Sequence, residues 1–248
     1  VNLIVLGVLG CGLAVLGLLG NCLSMLVLQR PKMRSSTSYF LLSLAVYDNL
    51  ILLGMLAYFC GPALVQYSPG LRHIQSIIHL TVVAGYPLSL AAQMGSIYTC
   101  VGFTVERYIA VCKPLHVANT CTKSRTIRVI ILVFFWSILY NIPRFFHYEI
   151  YYITSDSPGG DEFGRNTTFK HIYLIYSQLF FMFLIPFLAI LLMNIGLIRA
   201  VKVSMSAQRS MCASARKEHN LTIMLIAVIV VFLVCQFPTI VDNILVAV

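Results

Sequence analysis

Glu106-Arg107-Tyr108-Ile109-Ala110-Val111-Cys112-Lys113-Pro114-Leu115 decides the class of this chain. The charged pair closes a long apolar run, and a charge at a bilayer edge is costly unless it serves a function. Around this stretch the 248-residue chain is 59% hydrophobic and only 10% charged, with a mean hydropathy of +0.89. These values exclude a soluble domain with a polar surface and call for an integral membrane protein, expected to be all-α because the chain is made almost entirely of apolar helices.

Spanning a hydrocarbon core of about 30 Å takes about 20 mainly apolar residues. Six runs meet this condition, at 2–29, 37–62, 76–109, 123–146, 170–201 and 216–246. The first is too long for a signal-peptide core and has no basic flank before it. The net charge of +9 raises nucleic acid as a partner, but its distribution argues against it. Thirteen of the 17 basic residues fall in alternate connections: Arg30, Lys32 and Arg34; Arg107, Lys113, Lys123, Arg125 and Arg128; Arg199, Lys202, Arg209, Arg216 and Lys217. Arg72, Arg144, Arg165 and Lys170 are assigned to the opposite side. Basic loops stay inside, which predicts an extracellular N-terminus, and Glu149, Asp156, Asp161 and Glu162 then collect outside. Asn166-Thr167-Thr168 falls on that outer side as a glycosylation acceptor, whereas Asn220-Leu221-Thr222 falls inside and is expected to be unmodified.

Along the third span, Tyr86, Ser89, Gln93, Ser96, Cys100, Phe103 and Arg107 follow one another by three and four residues, so they share one helical face. Eighteen residues separate Ser89 from Arg107, about 27 Å of helix. This face is expected to look inward and to link an outer pocket to the inner edge. A packing seam of small and polar residues is the alternative for Ser96 and Cys100, but it accounts poorly for Gln93 and Arg107. Asp48, in the second span, needs partners, since an aspartate at mid-helix costs about 2.5 to 3.5 kcal/mol on insertion scales. A protonated Asp48 in a polar cluster with Asn21 satisfies that need. Of the eight cysteines, Cys11, Cys22, Cys100 and Cys235 lie in helices. Cys112, Cys121 and Cys212 lie on the inner side, where thiols stay reduced; Cys60 alone approaches the outer face.

The whole chain resembles the rhodopsin-like G-protein-coupled receptors. Gly20-Asn21, Leu44-Ala45-Val46-Tyr47-Asp48, Glu106-Arg107-Tyr108, Trp136, Pro186 and Pro238 occur in order at compatible spacings. The resemblance implies a single seven-helix transmembrane domain over 1–248, of which six helices are present; the seventh is expected downstream of Val248, in a chain shortened at both ends. It also implies a sodium site at Asp48 and Ser96, and a lock between Arg107 and an acid near the inner end of the sixth span, for which Glu218 is the candidate. A solvated Glu218 in the Arg216-Lys217-Glu218 run is the alternative. The disulfide usual in these receptors has no basis here: Val82 stands at the expected helix position, and His147 to Phe169 contains no cysteine. Gln236 stands near the usual switch tryptophan, and Asn194 replaces the usual tyrosine of the fifth span.

A narrower likeness lies in Tyr86-Pro87, Gln93, Val105 to Leu115, Tyr140-Asn141-Ile142-Pro143-Arg144-Phe145 and Ile185-Pro186-Phe187 through Asn194. These are similar to invertebrate FMRFamide receptors, and they imply a neuropeptide receptor for Arg-Phe-amide peptides, not an enzyme, acting through heterotrimeric G proteins. Ser89 stands where aminergic receptors carry an aspartate, which argues against a monoamine. His147-Tyr148-Glu149-Ile150-Tyr151-Tyr152-Ile153-Thr154, followed by Ser157-Pro158-Gly159-Gly160, resembles the hairpin over the pocket of peptide receptors. Tyr86, Ser89 and Gln93 are the expected pocket residues, with Glu149 and Asp242 as counter-ions for the peptide arginine. Glu106, Arg107, Tyr108 and Glu218 form the expected switch. The expected partners are the peptide, a G protein and the bilayer, with no nucleic acid and no cofactor beyond sodium. A six-helix transporter or channel subunit is the alternative from another class, but the chain shows no internal repeat and Asp48 is the one acid at midplane depth. A receptor-like protein that no longer couples is a third reading, against which the intact Glu106-Arg107-Tyr108 stands.

Overall fold

The computed structural model describes residues 9–57, 70, 75–113, 117–154 and 170–207, with backbone alone at 75–84, 118–119, 146–154, 170–171, 174 and 201–207. These residues form helices α1 (Cys11–Leu28), α2 (Ser36–Met55), α3 (Gln75–Cys112), α4 (Val117–Thr120), α5 (Lys123–Thr154) and α6 (Ile185–Ala207). A short 3₁₀ turn, Pro31–Met33, joins α1 to α2, and wider π-type turns over Lys170–Ser177 and Leu179–Leu184 lead into α6. Five segments are long and apolar enough to cross a membrane: Cys11–Leu28, Ser36–Met55, Gly85–Cys112, Lys123–Phe145 and Ile175–Ala200. They match five of the six expected spans; the sixth, 216–246, lies outside the described residues.

Local chemistry explains the boundaries. α1 ends as Gln29 N–H bonds Met25 O at 3.1 Å and Arg30 N–H bonds Val27 O at 3.2 Å, after which Pro31 prevents continuation. Ser35 then caps α2, its hydroxyl accepting from Ser38 N–H at 3.2 Å. Pro87 and Pro143 sit inside α3 and α5 without ending them, as membrane helices allow when neighbouring groups satisfy the freed carbonyl. The π turns give way to α6 at Ile185-Pro186, where proline has no N–H to donate and the register changes by one residue.

Two expectations are corrected here. His147 to Thr154 is the last part of α5, with no strand there. No Gly or Pro interrupts the chain between Phe145 and Thr154, so a helix already nucleated propagates through residues that favour strands only when a neighbouring strand is available. Arg144, assigned to an outer connection, lies within α5 and is 2% exposed.

The chain divides into two compact units, Val1–Thr99 with Thr126–Asn166, and Cys100–Arg125 with Thr167–Val248. In the first, α1 lies against α2, with Gly17 facing Leu52. Leu13, Leu16, Leu19, Leu23 and Leu26 of α1 are each more than 60% exposed, and Ala14 is the one buried residue of that helix. Such a leucine stripe is untenable in water and suits a surface bathed in lipid. Close packing centres on Ala91, Ala92, Met94 and Ile97 of α3, with Phe40, Ala45 and Tyr47 of α2. Gly95 is required there, because a Cβ would fall 2.8 Å from Tyr47 Cδ1 and closer still to Cε1 and Cζ. In the second unit, Ile175, Met182, Ile190 and Leu197 are buried, and Gly196 admits the ring of Tyr108, which a Cβ would meet at 2.7 Å.

Candidate functional site

In the first unit α2 carries Asp48 and α3 carries Ser96, and the two meet. Ser96 Oγ donates to Asp48 Oδ1 at 2.9 Å, so a carboxylate and a hydroxyl oxygen converge between apolar helices. Asn21, the alternative partner, is only partly buried, and Asn49, one residue beyond Asp48, turns instead toward α1. Its Nδ2 donates to Met25 Sδ at 3.4 Å and to Cys22 Sγ at 3.9 Å. These are soft, weak acceptors, which makes the Asp48–Ser96 pair the stronger polar tie of α2.

The Tyr86–Ser96 half of the α3 stripe is unevenly covered. Ser89 is 6% exposed, whereas Tyr86, Gln93 and Ser96 are half-buried. The tightest packing falls on the adjoining face, through Pro87, Ala91 and Met94.

α5 adds polar groups to which the sequence reading gave no role, Asn141 and Arg144 having been quoted and Ser137 passed over. Ser137, Asn141 and Arg144 recur at four and three residues and are 1%, 0% and 2% exposed. Asn141 Nδ2 donates to Ser137 O at 2.8 Å and approaches Met94 Sδ at 3.8 Å, fastening α5 to α3. Trp136 shares a hydrogen bond with Tyr98, its indole N–H being the donor. The available signal was the spacing: three polar residues on one face of an apolar helix predict an inward seam.

In the second unit the Glu106-Arg107-Tyr108 triplet is held in three directions. Glu106 is 9% exposed, and its carbonyl accepts from Cys121 Sγ at 3.9 Å. Arg107 is half-buried, with Cζ 5.1 Å from the centroid of Phe103 one turn earlier, a cation–π contact on its own helix. Tyr108 packs on Gly196, whose carbonyl also accepts from Cys112 Sγ at 3.9 Å. Burial raises the Cys121 thiol above its usual range, the Glu106 charge adds to this, and Arg107 opposes it. Cys121 therefore stays protonated at neutral pH. Among the described residues, Cys11, Cys22, Cys100, Cys112 and Cys121 are in no disulfide.

Asn194 of α6 is 0% exposed, and neither amide atom has a hydrogen-bond partner among the described residues. Glu149 is placed on α5 by its backbone alone. Asn166, Glu218 and Asp242 lie outside the described residues. No group of three or more His, Cys, Asp or Glu side chains suited to a metal occurs among the described residues.

Comparison with known proteins accords with this arrangement. Residues 20–248 match the family model of the seven-transmembrane receptors of the rhodopsin family. The FMRFamide receptor of Drosophila melanogaster is 33% identical over 97% of this chain and 45% of its own length. The FMRFamide peptide receptor frpr-18 of Caenorhabditis elegans is 31% identical over 71% of this chain and 41% of its own. Somatostatin receptor type 4 of Rattus norvegicus is 28% identical over 90% of this chain and 56% of its own. The chain thus spans less than half the length of the two FMRFamide receptors that it resembles. The transporter or channel alternative finds no support in these matches. A family match over nearly the whole chain, together with five apolar spans and the Glu106-Arg107-Tyr108 triplet at the end of α3, establishes that this chain belongs to the rhodopsin family of seven-transmembrane receptors.

Proposed function

We propose that the protein is a neuropeptide receptor for short peptides ending in Arg-Phe-amide, converting their binding outside the cell into activation of a heterotrimeric G protein. The 33% identity to the Drosophila FMRFamide receptor across 97% of the chain carries this reading. The protein resides in the plasma membrane as one seven-helix domain that includes 1–248, with its N-terminus outside, a glycan on Asn166 and no enzymatic activity. Tyr86, Ser89 and Gln93 line the peptide pocket; Glu106, Arg107, Tyr108 and Glu218 form the inner switch. Peptide binding favours a state in which the inner helix ends separate and Arg107 meets the G protein.

The test is a panel of amidated peptides, with free-acid and scrambled controls, on the full-length receptor in cells carrying a promiscuous G protein. A response to Arg-Phe-amides alone supports the assignment. A response only to peptides without that ending overturns it.

A peptide arginine entering a partly dry pocket requires a carboxylate, and Glu149 and Asp242 are the acids proposed for it. Glu149→Gln and Asp242→Asn should each be tried, and at least one should lower peptide potency by about 10-fold or more, the scale of a charge-assisted hydrogen bond. If both give wild-type dose–response curves, the counter-ion lies elsewhere.

Asp48 and Ser96 fit a sodium ion in their donor type, since small hard cations take oxygen ligands and these two oxygens already converge. Bound there, sodium would supply the counter-charge that a half-buried carboxylate between apolar helices lacks. Asp48 and Ser96 join α2 to α3 in either case. Agonist affinity should fall as sodium replaces a large organic cation at constant ionic strength, by about 5-fold or more. Asp48→Asn should abolish that dependence; equal sodium sensitivity in this variant would assign the effect to another site.

A further inference from the structure

The end of the first unit where α1 passes into α2 contains a cavity of about 260 Å³, lined by Leu28, Gln29, Arg34, Ser38, Tyr39 and Leu42. We propose that this cavity binds the phosphorylated headgroup of an anionic membrane lipid.

Its lining has two characters. Leu28 and Leu42 are apolar and belong to the spans themselves; Gln29, Arg34 and Tyr39 carry donors set at the helix ends, while the Ser38 hydroxyl is already given to Met33 O. Arg34 Nε donates to Gln29 O at 3.4 Å, which leaves both terminal guanidinium nitrogens for another acceptor. Arg30 and Lys32 stand exposed in the same short connection. No acidic residue occurs between Val1 and Tyr47, so nothing in this stretch of sequence neutralises the three cations.

The surrounding elements add to the positive field. The first turn of α2 points its N–H groups and its dipole's positive end toward this connection. Ser36 Oγ shares a hydrogen bond with Thr126 Oγ1, which brings the first turn of α5 to the same end of the unit. Planar, multidentate arginine is the side chain suited to phosphate oxygens.

A lipid is favoured over a free phosphate compound by position. The cavity lies where two membrane spans end, and Leu26 and Val27 beside it are 67% and 39% exposed, an apolar surface on which an acyl chain can lie. Basic pockets between membrane helices on the inner side recognise such headgroups. Assignment to the inner leaflet rests on the topology proposed above, whereas the binding chemistry does not.

The test uses the full-length receptor in nanodiscs of phosphatidylcholine, with or without a small fraction of phosphatidylinositol 4,5-bisphosphate, and counts retained lipid by native mass spectrometry. Wild type should retain the bisphosphate lipid preferentially. Each removed cation should weaken retention by about 5-fold, so Arg30→Gln, Lys32→Gln and Arg34→Gln together should lower it by about 100-fold. Leu42→Trp fills the cavity while keeping every charge, and it too should lose the preference, with peptide binding as the control for folding. Soluble inositol trisphosphate should compete poorly.

Full retention in the triple variant overturns the site. Full retention in Leu42→Trp shows a diffuse surface field in place of a seated headgroup and overturns it as well. Equal binding of soluble inositol trisphosphate makes a free phosphate compound the ligand and overturns the lipid assignment. Nanodiscs expose both faces, so none of these outcomes depends on orientation; labelling of Met33→Cys in intact cells tests the topology separately.

Discussion

Arg107→Ala will leave peptide affinity near that of wild type and lower G-protein activation by about 30-fold or more, the scale of a hot-spot arginine at a protein interface. The guanidinium lies near the end of α3, half-buried, resting on Phe103 at 5.1 Å. Glu106 beside it is 9% exposed. Such a cation is costly to maintain at a membrane edge, and alanine removes both its charge and its stacked plane. The fold should survive, because Tyr108 on Gly196 and Cys121 on the Glu106 carbonyl are untouched. Saturation binding of peptide and G-protein nucleotide exchange, measured on the same membranes, separate the two effects. Loss of both together would mean that Arg107 serves folding and not coupling. Glu218→Ala, at matched surface expression, should raise basal exchange several-fold, since even about 1 kcal/mol biases a two-state equilibrium by that much. Unchanged basal exchange would remove Glu218 from the switch and leave Arg107 in it.

Gly95→Ala should lower the thermal midpoint of the detergent-solubilised receptor by about 4–8 °C, corresponding to about 2 kcal/mol of overpacking in a chain of this size. The added methyl group would meet the Tyr47 ring itself, not the free end of a flexible side chain. Nor can the ring swing aside easily: Tyr47 is 7% exposed, and its hydroxyl is tied to Ser137, which is 1% exposed. Tyr47→Leu removes the obstructing ring, so the pair Tyr47→Leu with Gly95→Ala should be more stable than the sum of the single changes predicts. Strict additivity would show that the two positions do not press on each other. Asn141, which fastens α5 to Met94 one residue before Gly95, makes this the junction of three helices.

The spans were legible because a bilayer imposes a length and a composition on every crossing, and both are written in the chain without reference to neighbours. Thus 123–146 and 76–109 reappear in Lys123–Phe145 and Gly85–Cys112. The Asp48–Ser96 contact was also legible, as a buried acid demands a partner and the family resemblance pointed to this serine. The stretch from His147 to Thr154 was misread because aromatic and β-branched residues favour strands only given a partner strand, while helix propagation needs nothing but the preceding turn. Arg144 was misplaced for a related reason. A lone arginine near a span's end is ordinarily a loop residue, and only its phase with Ser137 and Asn141 reveals that it faces inward. The cavity beside Arg34 depends on how two helix ends diverge, which no single segment encodes.

The leucine stripe of α1 bears on the thermodynamics of the whole bundle. Leu13, Leu16, Leu19, Leu23 and Leu26 meet hydrocarbon while α1 lies on α2, and they would still meet hydrocarbon if it drifted away. Separating the helices within the bilayer therefore transfers almost no apolar area to water, and the heat-capacity increment that curves the stability of soluble proteins largely vanishes. What remains is contact enthalpy, chiefly Leu52 against Gly17 and the Asn49 amide on Met25 and Cys22. The adhesion of this helix should vary nearly linearly with temperature, with no cold-denaturing limb.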